Sequence, residues 1–160
     1  MIKRKWLGEP TCYFCSLDET ISHLLFQCST AKAVWAITAH CLGAQDIPTN
    51  FDHCWLWAKK WLPSGEKFHV LGIAAICWAI WKTRNQVCFE GKAIKHPVSI
   101  VCYACALMSY WAGLYDGEDR KALEDGVNTM LQIAIRLVGK KTPGNNQLLL
   151  QQEEDDDQHH

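Results

Sequence analysis

Three cysteines and one histidine near the start of the chain have the types and spacing of metal ligands. They follow the pattern C-x2-C-x7-H-x4-C and are Cys12, Cys15, His23 and Cys28. The two-residue gap lets one tight turn present both sulfurs to a single ion, and the longer gap allows the chain to turn back. Zinc takes four thiolate or imidazole ligands in a tetrahedron, which leaves no open position for a reacting water. The quartet therefore predicts one structural zinc ion and argues against metal catalysis.

The quartet could also arise by chance or form a disulfide. The chain holds nine cysteines, so four suitable residues could fall close together without binding a metal. A disulfide is less favoured, because the opening residues MIKRKWLGE do not form the apolar segment of a secretory signal. Nine cysteines without such a signal favour a reducing compartment. We therefore expect an intracellular protein, cytoplasmic or nuclear.

Length and composition predict one folded domain with a small appended module. The chain has 160 residues, of which 49% are hydrophobic and 21% charged, and it includes eight tryptophans, whose large rings favour burial. The net charge of −1 conceals an acidic run, because residues 153–157 carry five of the 17 acidic side chains. The remainder has 16 basic and 12 acidic residues, a balance of +4. This mild basicity permits contact with nucleic acid without demonstrating it.

Hydrophobic periodicity and helix-end signals predict a helical body behind the quartet. We expect helices over residues 31–41, 54–62, 66–89, 97–115 and 120–139. A loop is expected over residues 44–53, and no stretch has the alternation of a strand. The predicted fold is mainly α, with a small N-terminal zinc knuckle packed on a multi-helix body. Its parts are the knuckle and first helix at 6–42, the continuous helical body at 43–140, and a disordered acidic tail at 141–160.

Two apolar features could be part of the core or could have a separate role. Residues 97–115 are 19 uncharged residues, nearly the length of a transmembrane helix, but their serines and glycine lower the hydrophobicity. We therefore expect a buried helix, and a membrane partner is not expected. Cys102 and Cys105 repeat the C-x2-C spacing inside this apolar pattern, without a convincing fourth ligand. We expect them to pack in the core as small hydrophobic residues.

Catalytic residues are not recognisable in this sequence. The four central histidines have no thiol whose position marks it as their nucleophilic partner; they are His40, His53, His69 and His96. The carboxylate pairs at 118–119 and 124–125 lie on a predicted solvated turn or helix face, and a glycine-rich phosphate loop is missing. We predict that the protein is not an enzyme and has no small-molecule substrate.

Two blocks of residues together resemble a known family. The first is Cys12-x2-Cys15 with Glu19-Thr20, His23-Leu24-Leu25-Phe26, Cys28 and Trp35. The second is CWAIWKTRN at residues 77–85 with Phe89, followed by YWAGL at 110–114. In this order they resemble the zinc-binding domain that follows the reverse transcriptase in plant LINE-type (non-LTR) retrotransposons, over roughly residues 6–140. The resemblance implies zinc ligation by the quartet and engagement of nucleic acid beside a polymerase.

Nucleic-acid binding is the first functional hypothesis. The chain has no polymerase signature, so the resemblance implies a fragment of a retroelement polyprotein or a gene derived from one. Single-stranded RNA or DNA would meet basic residues before the first ligand, aromatic rings between the first two ligands, and polar residues of the second block. These residues are Lys3, Arg4, Lys5, Tyr13, Phe14, Arg84 and Asn85.

A structural or protein-interaction module is the second hypothesis. Its partner surface would be the tryptophan-rich helix that carries Trp55, Trp57 and Trp61. Under this hypothesis the two rings between the first ligands pack beneath the zinc. Arg84 and Asn85 then brace neighbouring helices instead of contacting nucleic acid.

Overall fold

The computed structural model describes residues 11–139 except Tyr13, Ser16 and Ile94. The body consists of α1 (Ser29–Leu42), α2 (Phe51–Trp61), α3 (His69–Glu90), α4 (Pro97–Trp111) and α5 (Gly117–Gly139). Shorter elements are a π-helical turn at His23–Gln27 and 3-10 turns at Pro63–Phe68 and Ala112–Leu114. Within the described residues there is no strand, and the prediction of a mainly α fold is confirmed. The predicted acidic tail at 141–160 lies outside them.

Helix ends follow local backbone chemistry. Gly43 and Gly91 end α1 and α3 with φ angles of 70° and 63°, a left-handed conformation that glycine adopts without steric cost. Pro97 opens α4 as predicted, and Nδ1 of His96 accepts a hydrogen bond from the Val98 backbone N–H at 3.1 Å. These three boundaries agree with the sequence analysis.

Four predicted boundaries are wrong by three or four residues. Helix α5 begins at Gly117 and not at residue 120, α4 ends at Trp111 and not at residue 115, and the starts of α2 and α3 also differ. Helix α2 begins at Phe51, inside the predicted loop, because the Asn50 side chain accepts a hydrogen bond from the His53 N–H at 2.8 Å and caps the helix. Helix α3 begins at His69 and not at residue 66. The preceding 3-10 turn contains Gly65, whose φ and ψ of −104° and 23° depart from helical values.

Helix α4 is the centre of the core. It packs against α1, α3 and α5, and its buried side chains include Ile100, Val101 and Ala104. Residues Pro97–Leu114 are long and apolar enough to cross a membrane, with a mean hydropathy of 1.4. Contact with three other helices nevertheless favours the predicted role of a buried core helix.

The second C-x2-C pair lies on α4 and behaves as core packing. Cys105 is buried and Cys102 is half-buried. Burial raises the pKa of the Cys105 thiol to about 12, so this thiol stays neutral near pH 7 and packs as a small hydrophobic side chain. The prediction for this pair is confirmed.

A cluster of aromatic rings joins the knuckle to α1 and α2. Trp35 is fully buried, stacks on Phe26 with ring centroids 5.6 Å apart, and meets Trp57 edge-on at 5.9 Å. The prediction that Trp57 belongs to the partner surface is therefore wrong, because its side chain faces the core and is only 4% exposed. On the same helix Trp55 is exposed, and Trp61 is half-buried with its indole N–H donating to Asp46 Oδ1 at 2.7 Å.

Replacement of Trp35 by phenylalanine is expected to destabilise the domain by about 2 kcal/mol. The indole N–H of Trp35 donates to the Leu25 carbonyl at 2.8 Å, and phenylalanine would remove that donor and leave a gap in the cluster. Urea unfolding followed by circular dichroism measures the change. Trp55→Phe is the matched control and should change stability by less than about 0.5 kcal/mol. Equal losses in the two variants would contradict this role of Trp35.

Candidate metal centre

A short loop and the π-turn bring the four ligand atoms together. An isolated bridge between Thr11 and Asp18 closes the loop that carries Cys12 and Cys15. The π-turn begins at His23, and the Cys28 N–H donates to the His23 carbonyl at 2.7 Å. This hydrogen bond between residues five apart brings Cys28 back beside His23. As a result, the four ligand atoms all lie within 4.8 Å of one another.

The donor atoms fit one tetrahedral zinc ion. With Zn–S near 2.3 Å and Zn–N near 2.0 Å, neighbouring ligand atoms of a tetrahedron are roughly 3.5–3.8 Å apart. The sulfurs of Cys12 and Cys28 are 3.6 Å apart, within this range, and the Cys15 sulfur lies 3.1 Å from Nε2 of His23, about 0.4 Å closer than the ideal tetrahedron. Three thiolates and one imidazole nitrogen are a donor set of structural zinc sites. The quartet is thus compatible with the single zinc ion that the sequence predicted.

Burial makes the thiolate form of Cys12 dependent on a nearby cation. Cys12 is 2% exposed; burial raises the pKa of its thiol to about 12, and the adjacent Cys28 thiol adds to the rise. At Cys15, burial also acts to raise the pKa, but hydrogen bonds, first with the Leu17 backbone, outweigh it and lower the pKa. Zinc binds the deprotonated thiolate. Deprotonation of the Cys12 thiol therefore requires a compensating positive charge, which the metal would supply when bound.

An ion pair joins the ligand loop to the helical body. Nε of Arg84, on α3, donates to one carboxylate oxygen of Glu19 at 3.2 Å, and Nη2 donates to the other oxygen. The two side chains are only 10% and 15% exposed. A bidentate contact of this kind fixes geometry as well as energy. We call the Glu19–Arg84 pair the brace, because it ties the loop between Cys15 and His23 to α3.

The contacts of Arg84 favour a structural role over the predicted contact with nucleic acid. Its guanidinium is largely buried and engaged with Glu19, and Nη1 donates to Oδ1 of Asn85 at 3.1 Å. Arg84 thus takes the bracing role that was left open for it, and Asn85 accepts one of its hydrogen bonds. Glu19 was not among the predicted site residues. Its appearance beside Thr20 in the first family block, with Arg84-Asn85 in the second, was the available signal.

Of the other residues predicted to contact nucleic acid, the structure describes Phe14. Phe14 is half-buried and packs against the core. The remaining predicted contacts lie outside the described residues; they are Lys3, Arg4, Lys5 and Tyr13. The structure thus brings together the metal ligands and the brace, and it turns Phe14 partly inwards.

Fold and site together define a helical domain with a closed Cys3His zinc site. A family model described as zinc-binding in reverse transcriptase matches residues 1–35, which include all four ligands. This match supports a reverse-transcriptase zinc-binding region at the start of the chain, and it covers the zinc-binding part of such proteins, not their catalytic part. No curated protein and no solved structure matches the chain.

Proposed function

We propose that the chain is a non-catalytic domain of a plant LINE-type retroelement, or of a gene derived from one, that binds single-stranded nucleic acid. The closed Cys3His site carries this proposal, because four protein ligands hold a small knuckle in one shape and leave the metal no reacting position. The family match supports a place beside a reverse transcriptase. The order of the two family blocks supports the LINE-type origin.

The proposed binding surface is the N-terminal side of the knuckle. Lys3, Arg4 and Lys5 precede the first ligand and would contact phosphates. Tyr13, between the first two ligands, would stack on an unpaired base. Arg84 is not part of this surface, because its guanidinium is held by Glu19. Binding would therefore depend on a short basic segment and one ring.

Neutralising Lys3, Arg4 and Lys5 together is expected to weaken binding to single strands and to reduce its salt dependence. Each phosphate contact contributes about 0.7 to the slope of log K against log salt for a single strand, so the slope should fall by about 2. Fluorescence anisotropy with labelled RNA and DNA oligonucleotides over a salt series measures both quantities.

The control for this experiment removes the same charge elsewhere. Lys59, Lys60 and Lys121 are exposed on α2 and α5, so their triple glutamine variant should keep the native slope. Equal loss in both triple variants would show that net charge and not the N-terminal segment drives binding. Absence of binding by the native protein at low salt would refute the proposed function.

We infer an intracellular setting, cytoplasmic or nuclear. None of the nine cysteines is in a disulfide, as expected for a reducing compartment. The packing of α4 against three helices supports a domain without a membrane partner. Neither a small-molecule substrate nor a catalytic role is proposed for the site.

A protein-interaction module is the second candidate function, and one observation favours it. Trp78 and Trp81 on α3 are 46% and 42% exposed, with ring centroids 5.0 Å apart. They border a groove of about 510 Å³ between α3 and the π-turn, where Leu24 and Leu25 form part of the opposite wall. This surface differs from the tryptophan-rich helix that the sequence suggested. Binding through it would be largely insensitive to salt, which distinguishes it from contact with phosphates.

A further inference from the structure

A cavity lies between α5 and the other core helices. Its volume is about 440 Å³, within the range of roughly 300–1,000 Å³ that is usual for small-molecule sites. Leu42 of α1, Gly72 of α3, Met108 of α4 and Leu123 of α5 all contribute to its wall. Protein interiors are otherwise close-packed, with few voids larger than a water molecule. A space of this size is therefore a candidate binding site.

A smaller space continues this cavity towards the aromatic cluster. Its volume is about 100 Å³, and its wall includes Trp35 and Trp57. The two spaces share six wall residues: Leu42, Leu62, Phe68, Gly72, Met108 and Met130. They therefore adjoin, and we call the two together the α5 cavity. Thr38 and His69 border its inner part, but both side chains are already hydrogen-bonded to backbone carbonyls, at 2.9 and 2.7 Å. The inner part thus offers apolar surface to a ligand.

The outer part of the α5 cavity reaches solvent and carries hydroxyl groups. Ser64, Ala122 and Thr129 line this part and are exposed. The Thr129 hydroxyl donates to the Asp125 carbonyl at 2.9 Å, so its oxygen can still accept a hydrogen bond. Among the described residues that line either part, none is Asp, Glu, Lys or Arg. A ligand would therefore meet hydroxyl groups at one end, apolar side chains at the other, and no charge.

Two helix glycines widen the α5 cavity, although neither packing nor backbone conformation requires glycine there. Gly72 lies in α3 and Gly126 in α5, and both line the cavity. A Cβ added at Gly126 would have no non-neighbouring heavy atom within 4 Å, and one at Gly72 would meet the Met108 sulfur at 4.0 Å. Neither glycine has a positive φ angle, and glycine is less favourable than alanine within a helix. Both helices thus leave open a space that a side chain could fill.

We propose that the α5 cavity binds a medium-chain aliphatic alcohol. The hydroxyl group of the ligand donates to Oγ1 of Thr129, and its alkyl chain extends past Met108 to the rings of Trp35 and Trp57. Transfer of the chain out of water provides the affinity. The cavity wall contains none of the metal ligands, neither residue of the brace, and none of the basic N-terminal residues. This site is therefore independent of the proposed nucleic-acid binding.

Isothermal titration calorimetry of the zinc-loaded full chain with straight-chain alcohols from 1-hexanol to 1-decanol tests the proposal. One alcohol should bind per chain, and each added methylene should tighten binding by up to about fourfold until the cavity is filled. Decanoate should bind at least about tenfold more weakly than 1-decanol, because its carboxylate loses water without gaining a positive partner. Absence of binding by every alcohol, or equal binding of decanoate, would overturn the proposal.

Leucine at the two helix glycines tests where the alcohol binds. Gly72→Leu and Gly126→Leu each add a side chain at the cavity wall and should weaken 1-decanol binding at least about tenfold. Neither should lower the melting temperature, since leucine favours the helix. Gly113→Leu is the matched control, because Gly113 is exposed in the turn after α4 and a Cβ there would also have free space.

Circular dichroism and zinc content show whether each leucine variant is folded, and the two positions provide separate tests. A folded cavity variant that binds 1-decanol as the native protein does would show that the alcohol binds elsewhere, and it would overturn the assignment. An equal loss of binding in Gly113→Leu would overturn it as well.

Discussion

Removal of zinc, or replacement of His23 by alanine, is expected to unfold the knuckle and to disturb the start of α1. Structural zinc contributes roughly 10–16 kcal/mol to the folding of zinc-finger peptides, as much as the roughly 5–15 kcal/mol that separates a whole domain from its unfolded state. Here the ligand loop is short, and two of its sulfurs are buried. Without the metal, the loop loses the bonds that would hold its four ligands together.

Metal analysis measures the loss of zinc, and near-ultraviolet circular dichroism of the same samples measures the loss of tertiary structure. The native protein should hold one zinc per chain, and His23→Ala should hold none and should lose the signal of the aromatic cluster around Trp35. Cys102→Ser is the control, because it changes the other C-x2-C pair and should keep both zinc and signal. Metal-free protein with a native spectrum and an unchanged melting temperature would contradict the structural role of the metal.

Arg84→Met is expected to destabilise the domain by about 3 kcal/mol, since it leaves the Glu19 carboxylate largely buried without its partner. Glu19→Leu should have a similar effect through the unpaired guanidinium. The double variant should recover much of the loss, because a buried ion pair replaced by apolar side chains is often nearly neutral. Urea unfolding of the four proteins gives the coupling energy of the brace.

An exposed ion pair provides the comparison for the brace. Lys67 and Asp119 are 2.7 Å apart, but their side chains are 55% and 48% exposed, so Lys67→Met should cost less than about 1 kcal/mol. If Arg84→Met instead left stability intact and lowered the salt dependence of nucleic-acid binding, Arg84 would be a phosphate contact and the bracing role would be wrong.

Features encoded by neighbouring residues were predictable from the sequence. The ligand quartet depends on short spacings, and the ends of α1, α3 and α4 depend on Gly43, Gly91 and Pro97. Each of these acts through its own backbone or within one loop. For this reason the helical class, the zinc ion and most helix positions could be inferred without any knowledge of packing. The cap at Asn50 is also local, but its aromatic surroundings concealed it.

Features that depend on packing were beyond the sequence. Glu19 and Arg84 are 65 residues apart, and nothing in either local pattern indicates that they meet. Trp57 and Trp55 occupy the same short helix, yet only the position of α1 decides that Trp57 is buried. Similarly, α3 is apolar on nearly every side between residues 70 and 81, and the neighbouring helices determine which side remains open. The assignment of tryptophans to core or surface therefore required the fold.

The brace also bears on how much of the chain must be inherited as one unit. The recognisable family segment ends at residue 35, but its Glu19 is held by a residue of α3 and its Trp35 by a ring of α2. A fragment cut at that boundary would keep the ligands and lose both supports. Substitutions at Glu19 and Arg84 should therefore arise in compensating pairs as related chains diverge. The smallest piece that recombination could transfer intact extends at least through α3.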